Sequence, residues 1–201
     1  MDIEFKSSKN PVNYEKALKL LEKRVNEVKK GGRELVWFLE HPTTYTAGIR
    51  YKKEEILDKS INIVKTNRGG KITLHNPGQK VVYFVLDLNK RKKNIRNLVR
   101  EIENIIVEFL KIYRIKSYAD KKNIGIWVNR KKIAAIGIRV SRWVAYHGFS
   151  ININNNLDDY KKIVPCGLNN EKITSFKKEG KKSLNINKNL KNIFLKNLPK
   201  I

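Results

Sequence analysis

Two short, almost uninterrupted apolar runs constrain the fold of this chain most strongly. They span residues 34–39 and 81–88. Each run is too short for a core helix, and neither shows the polar alternation of a half-exposed strand. This pattern is typical of a strand buried on both faces of a sheet. We therefore expect a sheet that is covered on both sides.

Two amphipathic helices accompany these runs. Apolar residues recur every three to four positions over residues 13–30 and 94–113, and Asn13 can cap the first helix. Further strands are predicted over residues 61–65, 124–128, 132–140, 146–153 and 172–176, and a short strand is predicted after the glycines at 69–70. A hairpin turn is predicted at 129–131 and a short helix over 157–163. Residues 41–48 are rich in hydroxyl and turn-forming side chains, which predicts an irregular loop. Strands and helices in mixed order predict an α/β (α+β) domain with a mixed β-sheet packed against helices.

The length of the chain, 201 residues, fits one domain over residues 1–201. We expect residues 1–12 and the Asn/Lys-rich residues 177–201 to be peripheral or poorly ordered, apart from a weak amphipathic turn near Leu190 and Phe194 that can dock. The N-terminus lacks the apolar core of a signal peptide, and no run has membrane length. The single cysteine excludes an intrachain disulfide and fits a reducing compartment. A soluble cytoplasmic protein is the expectation.

The chain is strongly basic, with 44 Lys and Arg against 19 Asp and Glu and a formal net charge of +25. Such a field attracts acidic proteins, nucleic acids and anionic membranes, chiefly by speeding encounter. The chain is also crowded with Asn and Ile, which indicates a compositional bias. A selected binding face and a merely solvated basic surface therefore both remain open.

The lone cysteine, Cys166, lies between Pro165 and Gly167. A thiol at such a turn can serve as a nucleophile when a basic neighbour accompanies it. A buried free cysteine acting as a small hydrophobe is the commoner outcome, and this stretch alone favours it. His75 and His147 are both candidate partners for a Cys–His pair. None of the histidines or the cysteine falls at a paired metal-ligand spacing, so we expect no metal site.

Two further segments carry candidate chemistry. Arg68 precedes Gly69 and Gly70, whose backbone N–H groups can face an anion or a carbonyl, but the spacing is not that of a phosphate-binding loop. On a regular strand Lys132 shares a face with Ala134, whereas Ile133 takes the other face. Lys132 can act as a proton carrier, although a solvated lysine at a strand end is the better reading of this stretch alone.

Taken together and in order, these motifs resemble the octanoyltransferase family of lipoate assembly. The matching residues are 41–42, 45–48, 68–73, 75, 77–79, 125–128, 132–137, 147–149, 152, 165–167 and 174–175. The resemblance implies the fold of the biotin/lipoyl ligase catalytic domain. It also implies transfer of an octanoyl (or lipoyl) group from acyl carrier protein, through a cysteine, to a lysine of lipoyl domains, with no cofactor. The acceptor proteins would be 2-oxoacid dehydrogenases and glycine-cleavage proteins, and a monomer is expected, with no nucleic-acid or membrane partner.

Carried over residue by residue, the resemblance makes Cys166 the acyl acceptor and Lys132 the acid/base. The substrate-binding residues that it implies are Arg68, Gly69, Gly70, Lys71, Thr73, His75, Ala135, Ile136, Gly137, His147, Gly148 and Phe149. One departure is Asn76, which stands where the family usually has glycine, so the turn there is expected to need a left-handed backbone at Asn76. Two alternatives remain: an ATP-dependent lipoate–protein ligase of the same fold, and, more remotely, a basic nucleic-acid-binding domain.

Overall fold

A computed structural model describes residues 2–120, 123–164 and 172–201. In chain order the strands are β1 (Ile3–Ser7), β2 (Glu34–Leu39), β3 (Thr44–Ala47), β4 (Ile63–Lys65), β5 (Ile72–His75), β6 (Gln79–Asp87), β7 (Tyr118–Ala119), β8 (Ile126–Val128), β9 (Lys131–Ser141) and β10 (Val144–Asn152). The helices are α1 (Tyr14–Lys29), α2 (Ile95–Ile112) and α3 (Ile186–Asn197). Short 3₁₀ turns cover Lys53–Glu55, Leu88–Lys90, Asp158–Lys162 and Leu198–Lys200.

The strands form two sheets. The large sheet has the order β1-β2-β6-β10-β9-β8-β7, and the small sheet has the order β4-β3-β5. The pairs β1–β2 and β3–β4 are parallel, and all the other paired strands are antiparallel. Both sheets are therefore mixed, and the predicted α/β architecture is confirmed.

The large sheet is covered on both faces. Val82, Phe84 and Leu86 of β6 point to one face and pack against α2 and α3, which we call the α2/α3 face. Val81 and Val85 point to the other face and pack against α1, which we call the α1 face. This two-residue alternation with both faces buried explains why residues 81–86 of the strand are apolar without interruption. The runs at 34–39 and 81–88 were correctly predicted as buried strands.

Both long helices form where the apolar periodicity predicts them. The side chains of Asn13 and Asn94 cap them by accepting hydrogen bonds from the backbone N–H groups of Lys16 and Asn97, each at 3.0 Å. The predicted hairpin turn is also confirmed: Asn129 and Arg130 both have positive φ and join β8 directly to β9.

Four local expectations are not met. Residues 44–47 form β3 rather than a loop, because β-branched and aromatic side chains pair well with β5. Residues 172–176 do not form a strand, and only Ile173 bridges Lys132. Both termini are part of the fold, because β1 extends the large sheet and α3 packs into its core. The predicted docking of Leu190 and Phe194 is confirmed, but these residues belong to a full helix and not to a single turn. The turn after β5 takes its positive φ at Gly78, not at Asn76, whose side chain is instead buried and hydrogen-bonded.

Among the described residues, no helix combines the length and the apolar character needed to cross a membrane.

Candidate active site

A pocket opens on the α1 face of the large sheet, where β6, β9 and β10 meet β5 of the small sheet. Its walls are Tyr14, Arg68, Gly70, Lys71, Thr73, His75, Val81, Tyr83, Ala135, Ile136, Gly137, His147, Gly148, Phe149 and Ser150. Every expected substrate-binding residue except Gly69 is among them. The structure therefore brings together residues from β5, β9, β10 and the loop before β5 that the sequence could relate only through the family resemblance.

Gly69 does not line the pocket but packs directly against β9. A Cβ atom on Gly69 would lie 2.9 Å from the carbonyl oxygen of Ile138, and one on Gly137 would lie 3.2 Å from the carbonyl oxygen of Gly69. Glycine at both positions lets the loop before β5 lie directly against β9. This close approach places Gly70 and Arg68 on the pocket wall.

A backbone irregularity turns His147 into the pocket. Its neighbours Ala145 and Phe149 point to the α2/α3 face, so a regular strand would point His147 there as well. Instead His147 has a φ of 68°, and its ring stacks on Tyr146 with centroids 4.7 Å apart. Positive φ is uncommon for a non-glycine residue in a strand and marks functional sites often enough to suggest a role here.

A second irregularity changes the face of the sheet on which Lys132 lies. Ile126 pairs with Ala134 and Trp127 pairs with Lys132, so one step on β8 corresponds to two steps on β9 and Ile133 is the extra residue of a β-bulge. Ile133 and Ala134 consequently both lie in the core of the α2/α3 face. The expectation that Lys132 shares the face of Ala134 is wrong, since the bulge reverses the alternation.

Lys132 is also not a solvated strand-end lysine, since only 8% of its surface is exposed. Its ammonium group donates to the carbonyl of Ile124 at 3.1 Å and lies 4.9 Å from the centre of the Trp127 ring. The backbone N–H of Thr174 donates to the Lys132 carbonyl at 3.0 Å. The chain that follows residue 171 is thus fixed against Lys132.

The histidines around the pocket are neutral. Burial lowers the pKa of His41 to about 4, although a hydrogen bond to the Val12 carbonyl opposes this. Burial, followed by the charges of His41 and Arg68, lowers the pKa of His75 to about 3. Burial, followed by the charges of Arg68 and Arg139, lowers the pKa of His147 to about 3. Each ring therefore offers one N–H donor and one lone pair near neutral pH.

The tautomer of His41 follows from its partners. Its Nδ1 lies 2.6 Å from the Val12 carbonyl, which can only accept, so Nδ1 carries the proton. Its Nε2 therefore accepts from the hydroxyl of Tyr83 at 2.9 Å. This hydrogen bond fixes Tyr83 on the pocket wall.

Arg68 is a buried cation on the pocket wall. It donates to the carbonyl and the hydroxyl of Thr46, both at 2.8 Å, and to the carbonyl of Gly69 at 3.1 Å. Within the described parts of the chain it has no carboxylate partner, and its Nε makes no hydrogen bond. An uncompensated buried charge is costly, and it favours negative charge that develops nearby.

Four pocket residues were missed from the sequence: Tyr14, Val81, Tyr83 and Ser150. Tyr14 belongs to the apolar periodicity of α1, and Tyr83 and Val81 belong to the buried strand β6, so the pattern assigned them to the core. The two tyrosines inside these apolar patterns were the one available signal, because a buried hydroxyl needs a partner.

Cys166 lies outside the described residues, together with Pro165 and Gly167. The chain that enters this segment is fixed: the backbone N–H of Val164 donates to the Glu55 carbonyl at 2.7 Å. The Glu55 carboxylate pairs with the ammonium group of Lys71 at 2.8 Å, and Lys71 lines the pocket. Among the described residues, no group of three or more His, Asp or Glu side chains could hold a metal ion.

Solved structures identify the fold. The putative lipoate protein ligase from T. acidophilum with bound lipoic acid superposes with a TM-score of 0.81, at 17% identity, over 98% of this chain and 86% of that chain. Biotin protein ligase from Leishmania major gives a TM-score of 0.57, at 13% identity, over 98% of this chain and 73% of that chain. The fold is therefore that of the lipoyl and biotin protein ligase catalytic domains.

Sequence comparisons define the family within this fold class. The family described as the lipoyl protein ligase A/B catalytic domain matches residues 13–197. An octanoyltransferase from Ehrlichia chaffeensis is 46% identical over 89% of this chain and 86% of the relative. Another from Wolbachia sp. subsp. Brugia malayi is 41% identical over 90% and 91%. The chain belongs to the octanoyltransferase family, and it is an acyltransferase of protein lipoylation.

Proposed function

We propose that this enzyme moves an octanoyl (or lipoyl) group from acyl carrier protein to Cys166 and then to a lysine of a lipoyl domain. The Cys166 thiolate attacks the carrier thioester, and the bond between the acyl carbon and the carrier sulfur breaks. The Lys132 ammonium gives its proton to the leaving thiolate. The acceptor amine then attacks the acyl-enzyme, neutral Lys132 removes its proton, and Cys166 leaves as a thiolate.

The observation that carries the proposal is the position of Lys132. The bulge at Ile133 takes this lysine out of the α2/α3 core, and the described chain resumes against it after the segment that contains Cys166. A lysine that packed into the apolar core could not exchange protons with a reacting group. The family resemblance supplies the pairing of Lys132 with Cys166.

The pocket walls suit an acyl thioester. Val81 and Ala135 offer apolar surface to an alkyl chain. The buried positive charge of Arg68, which has no carboxylate partner among the described residues, favours the negative charge that develops on the carbonyl oxygen during attack. No step requires ATP, because transfer between thioesters is nearly isoenergetic and transfer to an amine runs downhill.

The basic surface supports encounter with acidic partners, as carrier proteins and lipoyl domains generally are. The net charge of +25 raises association rates, an effect that added salt weakens. We propose as acceptors the lipoyl domains of 2-oxoacid dehydrogenases and glycine-cleavage proteins, reached by a monomeric enzyme in the cytoplasm. The single cysteine fits that reducing compartment.

Cofactor dependence tests the proposal against an ATP-using ligase, since one solved structure of the same fold is a lipoate-protein ligase A bound with ATP. A lipoyl domain is incubated with the enzyme and either octanoyl-carrier protein without ATP or octanoate with ATP and Mg²⁺. We expect octanoylation of the lipoyl domain in the first mixture alone. Modification that requires ATP and free octanoate would contradict the proposal.

A further inference from the structure

A network of buried side-chain amides lies behind the pocket and contacts His75. Gln79 bonds to His75 Nδ1 through Oε1 at 2.7 Å and donates from Nε2 to Asn152 Oδ1 at 2.9 Å. Nε2 of Gln79 also lies within hydrogen-bond distance of the Leu74 carbonyl, at 3.2 Å, and of the Tyr160 hydroxyl, at 3.0 Å. Nδ2 of Asn152 donates to the Thr174 carbonyl at 3.0 Å. Almost none of the surface of these side chains is exposed.

The backbone carbonyls set the direction of every hydrogen bond in this network. The Thr174 carbonyl can only accept, so the NH₂ group of Asn152 faces it and Oδ1 of Asn152 faces Gln79. Gln79 must then present its NH₂ group to Asn152, an orientation that the Leu74 carbonyl also requires. This leaves Oε1 of Gln79 as the atom that faces His75. His75 Nδ1 therefore carries the proton.

We propose that Gln79 and Asn152 are positioning residues that keep His75 in its Nδ1-protonated tautomer, so that Nε2 accepts a hydrogen bond from an N–H group of a substrate. This role rests on the proposed function. An acyl chain and a thioester contain no hydrogen-bond donor. The reaction brings in two N–H sources, the ε-amine of the acceptor lysine and the amides of the carrier's prosthetic arm.

The surroundings of His75 agree with an acceptor role. Its ring stacks on Tyr14 with centroids 5.6 Å apart, and Nε2 has no hydrogen-bond partner among the described residues. His147 presents a second lone pair: Nε2 bonds to Asn67 Oδ1 at 2.7 Å, and the buried Nδ1 has no partner in the described structure. The charged and titratable groups shown against His75 are His41, Arg68 and Tyr14, and the first two, together with burial, keep the ring neutral.

Two variants of Gln79 separate tautomer control from packing. Gln79→Met keeps the approximate shape but removes the acceptor of His75 Nδ1. Gln79→Glu keeps the acceptor, and its charge favours the imidazolium form of His75. Asn197→Leu is the matched control, since Asn197 is another buried amide but lies on α3, on the opposite face of the sheet.

The first measurement is the ¹⁵N NMR spectrum of the three histidines from pH 5 to pH 8. We expect wild-type His75 to show a protonated Nδ1 and an unprotonated Nε2 throughout. In Gln79→Met, we expect a fraction with protonated Nε2. In Gln79→Glu, we expect Nδ1 to stay protonated and Nε2 to gain a proton toward pH 5. A wild-type spectrum with protonated Nε2, or an unchanged Gln79→Met spectrum, would overturn the proposal.

The second measurement separates the two half-reactions. We expect Gln79→Met to slow one of them roughly tenfold to a hundredfold. A slower transfer from acyl-enzyme to lipoyl domain assigns the N–H group to the acceptor lysine, and a slower loading assigns it to the carrier's arm. In Gln79→Glu, we expect the same half-reaction to be lost toward acidic pH. Unchanged rates in Gln79→Met, or an equal loss in Asn197→Leu, would overturn the role. A wild-type enzyme that never loads would contradict the proposed function alone, because the spectra do not depend on it.

Discussion

On the α2/α3 face of the large sheet, β6 alternates regularly and its inward side chains are apolar, from Val82 to Phe84 to Leu86. On the α1 face, the end that holds the pocket is built differently. Tyr83 lies there among aliphatic side chains, and it contacts His41 and His147. Both faces are equally buried, so burial alone does not mark the site.

The two irregularities of the sheet explain this difference. The extra residue Ile133 and the positive φ of His147 each transfer one polar side chain away from the α2/α3 face. A chain that needed stability alone would favour neither feature, since both weaken regular strand pairing. The comparison implies that variants on the pocket side affect turnover, whereas variants on the other side affect stability.

The largest effect on turnover among the described residues is expected at Lys132. We expect Lys132→Ala to lower the transfer rate by about 10²- to 10³-fold, because the proton of the leaving thiol and that of the incoming amine lose their carrier. Steady-state transfer to a lipoyl domain measures this. Lys131→Ala, at the exposed neighbouring position, is the control and should stay near the wild-type rate. A fully active Lys132→Ala enzyme would remove this residue from the mechanism.

The reciprocal test is Phe194→Ala on the α2/α3 face. Phe194 is completely buried, and its ring lies 6.3 Å from that of Phe84. We expect the free energy of unfolding to fall by about 3–5 kcal/mol, while the turnover of the folded fraction stays unchanged. Urea unfolding measures the loss, and Leu195→Ala, at a position on the same helix that is 43% exposed, should lose far less. A large change in turnover without a loss of stability would break the distinction between the faces.

We expect acid to lower the free energy of unfolding, chiefly through the buried histidines on the pocket side of the sheet. His41, His75 and His147 stay neutral in the folded protein but take up protons near pH 6.5 when unfolded, so the unfolded state binds more protons. The free energy of unfolding should therefore fall between pH 7 and pH 5, by about 2 kcal/mol per histidine. Urea unfolding at both pH values measures this. The Asp and Glu groups with lowered pKa, Asp58, Glu108 and Asp158, act at lower pH.

Removal of one titrating ring provides the control for this pH dependence. His147→Gln should retain the dependence of the other two histidines and lose about a third of the total. A stability that does not change from pH 7 to pH 5, or a slope that His147→Gln leaves intact, would show that these rings are not held neutral by the fold.

The smallest effect is expected at Tyr14. Its buried hydroxyl lies close enough to Tyr83 to raise the pKa of that residue, but it meets the geometry of a hydrogen bond with none of the described residues, so Tyr14→Phe should change the free energy of unfolding by less than about 1 kcal/mol. Tyr83→Phe is the matched comparison, because that hydroxyl donates to His41, and it should cost about 1–2 kcal/mol. Equal losses in the two variants would mean that Tyr14 has a partner in the folded protein.

Periodicity predicted the helices and the central strands because those elements depend on which residues are apolar. It could not predict the bulge at Ile133, since one extra residue leaves the apolar pattern of β9 almost unchanged. It also could not predict the φ of His147 or the contacts of Asn76 with Asn156 and Asp159, which are distant in sequence. The family resemblance identified eleven of the fifteen residues that line the pocket, whereas the tyrosines on its wall required the fold.

The central claim is that the acyl group passes through Cys166. The most direct measurement is the intact mass of the enzyme after mixing with octanoyl-carrier protein, without any acceptor. We expect one added octanoyl group, removed by hydroxylamine, absent in Cys166→Ser and lost when a lipoyl domain is added. Turnover without any such adduct, or an adduct that persists in Cys166→Ser, would contradict the account.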